Sequence, residues 1–332
     1  MAKPSGITTG DGTEAHPWEV HNYEEIKWAC EDAEAIPTGQ TATSGYVYIN
    51  LVNDIDCQEY DVDFTWSITC LHSIYLDLCQ HTIETFYITG SGYMFRSNVN
   101  SGDYYIGNGK ILNVYGYWDG GSMGVFMFIT SNNHAVLIEN ISFSIDMSKL
   151  STIYYMNNIG VTLYTIKNCS FWIQGDRREA TVYRDLLPFS GMVSCCDFYL
   201  NDVKTINSGI VTGYSASQTT VLTNCRFQGN YSEKITSTGG AQYLFSNAIL
   251  RNCVFDLGIN RDSTSTGTSA LGFVNNVSTS NTGIYNSEKI VANLQYIPDG
   301  YVPCLTSEMD RRVNPNADNI LRDDKHFDVI TG

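Results

Sequence analysis

Apolar and polar residues alternate along most of this chain, and the alternation is organised around single asparagines. Ile138-Glu139-Asn140-Ile141-Ser142-Phe143, Ile166-Lys167-Asn168-Cys169-Ser170-Phe171, Leu222-Thr223-Asn224-Cys225-Arg226-Phe227 and Leu250-Arg251-Asn252-Cys253-Val254-Phe255 share one pattern. Alternation with period two predicts short strands with one buried face. The asparagines of the first pair lie 28 residues apart, as do those of the last pair. The 56-residue gap between the pairs leaves room for one more copy, which we read at Phe198-Tyr199-Leu200-Asn201-Asp202-Val203.

Self-similarity at a fixed period of this size predicts stacked repeats. The period is too short for a propeller blade, and the pattern lacks the 3.6-residue spacing of a helical repeat. It fits one circuit of a parallel β-coil, with Ile, Leu and Phe pointing inward onto their equivalents in neighbouring coils. Asparagine at the bend tolerates left-handed backbone, and stacked asparagines can hydrogen-bond as a ladder. The expected ladder is Asn140, Asn168, Asn224 and Asn252, with Cys169, Cys225 and Cys253 filling one buried slot that Ile141 also occupies. A slot shared by Cys and Ile points to a small buried hydrophobe rather than a redox centre.

Fainter copies extend the pattern. Upstream are Lys110-Ile111-Leu112-Asn113-Val114, the segment around Leu76–Ile83, and Tyr46-Val47-Tyr48-Ile49-Asn50-Leu51; the last copy ends near Asn286. The expected fold is all-β, a right-handed parallel β-helix (β-solenoid) of about nine coils, on the order of 40 Å long at ~4.8 Å per coil. A solenoid needs its open ends covered. Asn22 followed three residues later by Glu25 predicts a capping box for a helix starting at Tyr23 and ending before Pro37 and Gly39. Ile26, Ala29 and Cys30 fall on one face of it. The chain then divides into an N-terminal strand and capping helix (1–45), the β-helix (46–286), and a polar C-terminal cap or attachment and oligomerisation tail (287–332).

The opening Gly10-Asp11-Gly12-Thr13-Glu14-Ala15-His16-Pro17-Trp18-Glu19-Val20, the Glu24-Glu25-Ile26 helix and Tyr48-Ile49-Asn50-Leu51-Val52-Asn53-Asp54-Ile55-Asp56 together resemble the start of right-handed parallel β-helix proteins of the pectate-lyase-like superfamily. The resemblance spans roughly residues 6–285. It implies the fold, and it implies the settings in which such openings occur, tailed-phage virion proteins and bacterial surface proteins.

Composition narrows the function classes. The chain has 332 residues and a formal net charge of −16, which argues against nucleic acid as a partner. No stretch approaches the roughly 20 apolar residues of a membrane span, and no apolar segment follows Met1 as a secretion signal would require. Ten cysteines without CxxC pairs suggest folding in a reducing cytoplasm. The Asn-x-Ser sequences at Asn140, Asn168, Asn230 and Asn276 are chance matches in an Asn- and Ser-rich chain.

Candidate chemistry is sparse. Carboxylate pairs one coil apart, Asp119 with Asp146 and Asp176 with Asp202, have the spacing that scattered solvent-facing acids would also give. Asp54, Asp56, Asp61 and Asp63 form the densest acidic cluster, and Ca²⁺ is the cation such oxygens would hold; otherwise no cofactor is expected. The six histidines have no zinc-ligand spacing. Cys195 and Cys196 are expected on opposite faces of a strand. The aromatic segment Tyr104-Tyr105, Tyr115, Tyr117-Trp118 is a candidate sugar platform, with Tyr115, Tyr117 and Trp118 as its core and half of the segment turned inward.

These features predict a structural or adhesive protein of a tailed-phage virion (a head fibre, decoration or tail-fibre component), folded in the host cytoplasm and binding a host surface glycan. Its expected partners are other virion proteins or itself, as a homo-oligomer such as a trimer. The alternatives are a tailspike depolymerase acting as polysaccharide lyase or hydrolase, and a bacterial surface adhesin.

Overall fold

The computed structural model describes residues 2–57, 67–89, 93–97, 102–117, 124–127, 135–148, 163–176, 187–188, 191–206, 210–212, 220–235, 243–246, 248–251, 253–263, 272–275, 279–280, 282–284 and 301–303. They form an all-β parallel β-solenoid in which every strand pairing is parallel.

Two ladders run the length of the described shaft. The first registers Trp18, Ile49, Leu76, Ile106, Ile138, Ile166, Val193, Leu222, Leu250 and Thr279 on one another in turn. The second registers Ile55, Ile83, Ile111, Phe143, Phe171, Phe198, Phe227, Phe255 and Ile284. Short strands on a third side pair as Ile68, Phe95 and Phe126, and further along as Val211, Phe245 and Val274. A residue of the period-two pattern therefore meets its own equivalent, one coil away.

The core is built from these like-on-like contacts. Phe143, Phe171, Phe198 and Phe227 stack as a column with centroids 4.8, 4.8 and 4.7 Å apart and planes within 8°. The spacing equals the distance between hydrogen-bonded strands, so the backbone ladder places the rings at stacking distance. All four are buried.

Between the two ladders the chain bends at a residue with left-handed backbone. Asn108, Asn140, Asn168, Cys195 and Asn224 occupy this bend with φ between 53° and 60°. The side-chain amide of Asn140 donates to Asn108 Oδ1 at 2.9 Å, and that of Asn168 to Asn140 Oδ1 at 3.3 Å. Asn224 reaches the Cys195 sulfur at 3.9 Å. Asn252 lies outside the described residues.

Two expected positions move. The middle copy of the repeat is centred on Cys195 rather than Asn201, because Lys167 registers on Ser194 and Phe171 on Phe198. Cys195 takes the asparagine's place, and Cys196 the buried slot. The pair thus straddles a bend and does not lie in a strand. Likewise Asn108, not Asn113, precedes Asn140, since Gly107 registers on Glu139 and Gly109 on Ile141. Asn113, also at positive φ, sits where the register of Phe143 and Ile145 shifts.

Cys169, Cys196, Cys225 and Cys253 fill the buried slot on successive coils as free thiols. Each sulfur lies 3.5–3.8 Å from a carbonyl oxygen of the preceding coil. Burial pushes the thiols of Cys196 and Cys253 well above their ordinary range, so both are held protonated.

At the N-terminus the helix Tyr23–Glu31 forms with the reciprocal cap its sequence predicts. Asn22 Oδ1 accepts from the Glu25 backbone N–H at 3.0 Å, and Glu25 accepts from the Asn22 side-chain Nδ2 at 3.0 Å and, one residue before the cap, from the His21 backbone N–H at 2.8 Å. Ile26, Trp28, Ala29 and Cys30 are buried against strands Val47–Leu51 and Ile68–Cys70. The last turn is tied down by the Leu71 N–H on Cys30 O at 3.0 Å and by His72 Nε2 on Ala29 O at 2.8 Å. The boundaries of the outer segments, 1–45 and 287–332, remain expectations; nearly all of the latter is outside the described residues.

Candidate functional site

With the inward positions consumed by stacking, chemistry is left to the outward positions. On the first ladder these form a column that begins with tyrosines. Tyr48 registers on Tyr75, and Tyr75 on Tyr105. Tyr75 and Tyr105 stack with centroids 3.9 Å apart and planes 5° from parallel. Tyr48 lies 5.1 Å from Tyr75 at 33°, and Tyr46 packs edge-on to both Tyr48 and Tyr75 at 5.9 and 6.0 Å. Tyr46, Tyr48 and Tyr75 are half-buried, whereas Tyr105 is covered.

The neighbouring outward column supplies polar groups. Asn108 donates to Asp77 Oδ2 at 3.1 Å and to the Tyr105 hydroxyl at 3.3 Å; that hydroxyl in turn donates to Glu139 Oε1 at 3.2 Å. Lys167 Nζ lies 3.7 Å from Glu139 Oε2. The run Asp77–Asn108–Tyr105–Glu139–Lys167 thus crosses four coils. Gly107 makes it possible: a Cβ there would collide with the Tyr105 hydroxyl and come 2.9 Å from Glu139 O. Without a side chain at 107, the Tyr105 ring folds across the sheet to reach the carboxylate.

The field at this site is negative. The Tyr46 hydroxyl is pushed up to about 12 by burial and then by Asp103. Burial and then the nearby Glu14 raise Tyr48. Tyr105 is raised far above the ordinary phenol range by burial, with the Tyr75 hydrogen bond and the Glu139 charge adding to it. All three stay protonated donors at neutral pH. Mutual stacking occupies most ring faces, so the ladder offers solvent chiefly ring edges, hydroxyls and the flanking carboxylates.

Of the expected platform, Tyr104 turns into the core and Tyr105 joins the outer column. Tyr115 and Tyr117 lie in the strand Tyr104–Tyr117, but their side chains, like Trp118, lie outside the described residues. Sequence reasoning missed Tyr46, Tyr48 and Tyr75. Their signal was present: Tyr48, Tyr75 and Tyr105 are separated by 27 and 30 residues, close to the repeat itself.

The expected carboxylate sites fare differently. Asp176 registers on Lys204 across a register shift, so Asp202 is not its partner. Asp119, Asp61 and Asp63 lie outside the described residues. Asp54 Oδ1 accepts from the Thr82 N–H at 2.8 Å and meets His81 Nδ1 at 3.2 Å. Asp56 registers on Glu84, whose carboxyl is raised by burial and then by Asp56 and Asp54. Among the described residues no group of three or more His, Cys, Asp or Glu is arranged to hold a metal ion.

The crystal structure of a putative immunoglobulin A1 protease from Bacteroides ovatus is similar to this chain, with a TM-score of 0.52 and 15% identity over 86% of this chain and 88% of that one. At that identity the likeness shows the fold alone. No protein-family model matches the chain, and no curated protein does.

Proposed function

We propose that this chain is a non-enzymatic adhesive shaft that holds a saccharide along its tyrosine ladder. The observation that supports this most is the continuous run of donors and acceptors, Asp77–Asn108–Tyr105–Glu139, laid beside stacked tyrosines on the outer face. Sugar hydroxyls are matched by paired donors and acceptors, which the exposed tyrosine hydroxyls and the flanking carboxylates supply. A rigid sheet presents these groups at fixed spacing, which lowers the ordering cost of binding. Binding of oligosaccharides released from bacterial capsule, followed by calorimetry, tests it. The reading expects binding to be lost in Tyr48→Ala/Tyr75→Ala, and retained affinity in that variant contradicts it.

The setting we propose is the virion of a tailed phage, where a cytoplasm-folded, acidic, cysteine-bearing solenoid would act as a head-fibre, decoration or tail-fibre component. Its support is the sequence opening around Gly10–Val20 and the composition. Co-purification with phage particles tests this separately, and absence from particles overturns it.

One observation favours a second reading, cleavage of the saccharide. Asp77 and Glu139 stand two coils apart on the same column, about 10 Å between backbones at ~4.8 Å per coil. Inverting glycosidases separate their two carboxyls by roughly 6.5–9.5 Å. Release of reducing ends from capsule, abolished by Glu139→Gln, would replace the adhesive reading with this one.

A further inference from the structure

Beyond the tyrosines, the same outward column becomes aliphatic. Leu137, Thr165, Met192, Val221 and Ile249 follow Tyr105 in register, coil after coil. Met192 is 54% exposed, and the other four are half-buried. Outward positions of a solvated sheet face are ordinarily polar, and a contiguous exposed apolar stripe marks an interaction surface. The adjacent column changes sign along the shaft. Asp77 and Glu139 lie toward the N-terminal end, Lys167 and Arg251 toward the C-terminal end, with Ser194 and Thr223 between the two cations.

We propose that this stripe is the contact face of an antiparallel homodimer, with the two-fold axis at Met192. A two-fold axis lying in the interface along the strand direction pairs each column with itself and reverses coil order. Centred on Met192, it sets Leu137 opposite Ile249 and Thr165 opposite Val221 of the second copy. On the flanking column it sets Glu139 opposite Arg251 and Lys167 opposite Thr223, so the sign change becomes self-complementary. A two-fold axis along the shaft would instead carry the flanking column to the far side of the stripe and lose the Glu139–Arg251 match. Because Thr279 stacks on Leu250, the next coil of the second copy stands opposite Tyr105, and the test below reads association alone, with no saccharide present. The five coils from Leu137 to Ile249 give an apolar contact about 24 Å long at ~4.8 Å per coil. That places the contact at the small end of specific interfaces and makes the dimer concentration-dependent.

Sedimentation velocity of the full chain over a concentration series in reducing buffer is the test. The expected result is a reversible monomer–dimer equilibrium. Met192→Lys, which opposes two ammonium groups at the axis, shifts its midpoint at least ten-fold higher without changing thermal unfolding. Arg251→Glu weakens the dimer, and Glu139→Arg added to it restores association. A chain monomeric at every concentration, a trimer, or a dimer indifferent to Met192→Lys overturns the proposal. Retention by this face of a different protein, with the isolated chain monomeric, overturns it equally.

Discussion

Tyr75 and Tyr105, 30 residues apart in sequence, lie face to face at 3.9 Å on the outside of the shaft. Their register is set by the inward neighbours, Leu76 on Ile106, so the solenoid core positions an outer-face array. The remaining consequences follow from the same coupling.

Removing the middle ring should loosen the array. Tyr75→Ala deletes contacts with Tyr46, Tyr48 and Tyr105. Aromatic pairs contribute about 0.5–1.5 kcal/mol each beyond area burial, so losing three should cost roughly 1.5–4.5 kcal/mol in denaturant unfolding, with the far-ultraviolet spectrum unchanged.

The bend asparagines do two things that mutation can separate. Asn168 has φ 53° and donates to Asn140. Asn168→Gly keeps the backbone and loses the amide; Asn168→Ala loses the amide and must also hold a Cβ in left-handed conformation, at about 1–2 kcal/mol. Alanine should therefore lower the melting temperature more than glycine does. Equal effects would mean the ladder hydrogen bond alone matters.

Phe198 sits between Phe171 and Phe227 with both faces covered. Phe198→Ala leaves a cavity in a column held open by strand pairing and should cost about 3–5 kcal/mol. Met192→Ala, on the exposed stripe, should cost under about 0.5 kcal/mol in the monomer. The comparison by urea titration at low protein concentration separates core from surface within one coil, on either side of the Cys195 bend.

Acid should act first on the N-terminal helix. Burial lowers the His72 pKa below its ordinary 6.5, partly offset by its bond to Ala29 O. Folding thus favours neutral imidazole, while the unfolded chain takes up the proton near pH 6.5. Stability contributed here is complete above that pH and declines as pH falls toward the folded-state pKa. Amide protection factors in Tyr23–Glu31, taken relative to the intrinsic exchange rate at each pH, should fall as the pH drops below about 6.5, and His72→Gln should flatten the dependence.

Much of the fold was legible because inward residues repeat in kind. Ile166, Cys169 and Phe171 meet residues like themselves, so sequence periodicity and spatial contact are one signal. The capping box at Asn22 and Glu25 was equally plain, being local. The middle copy was misplaced because Cys195 replaces the asparagine while Asn201, six residues later, mimics it. The tyrosine array was harder to see, since its three-fold tyrosine repeat lies outside the Asn-centred copies and the same outward column continues as Leu137, Thr165 and Met192. The run to Glu139 depends on an empty position at Gly107, a property of neighbours across coils that no local pattern records.

The most direct test of the central claim is the ring spectrum of protein carrying ¹³C-labelled tyrosine, titrated with capsule-derived oligosaccharide. Tyr48, Tyr75 and Tyr105, assigned by single Tyr→Phe variants, should shift together in a saturable way. Saturable binding that leaves these three rings unmoved would contradict the account.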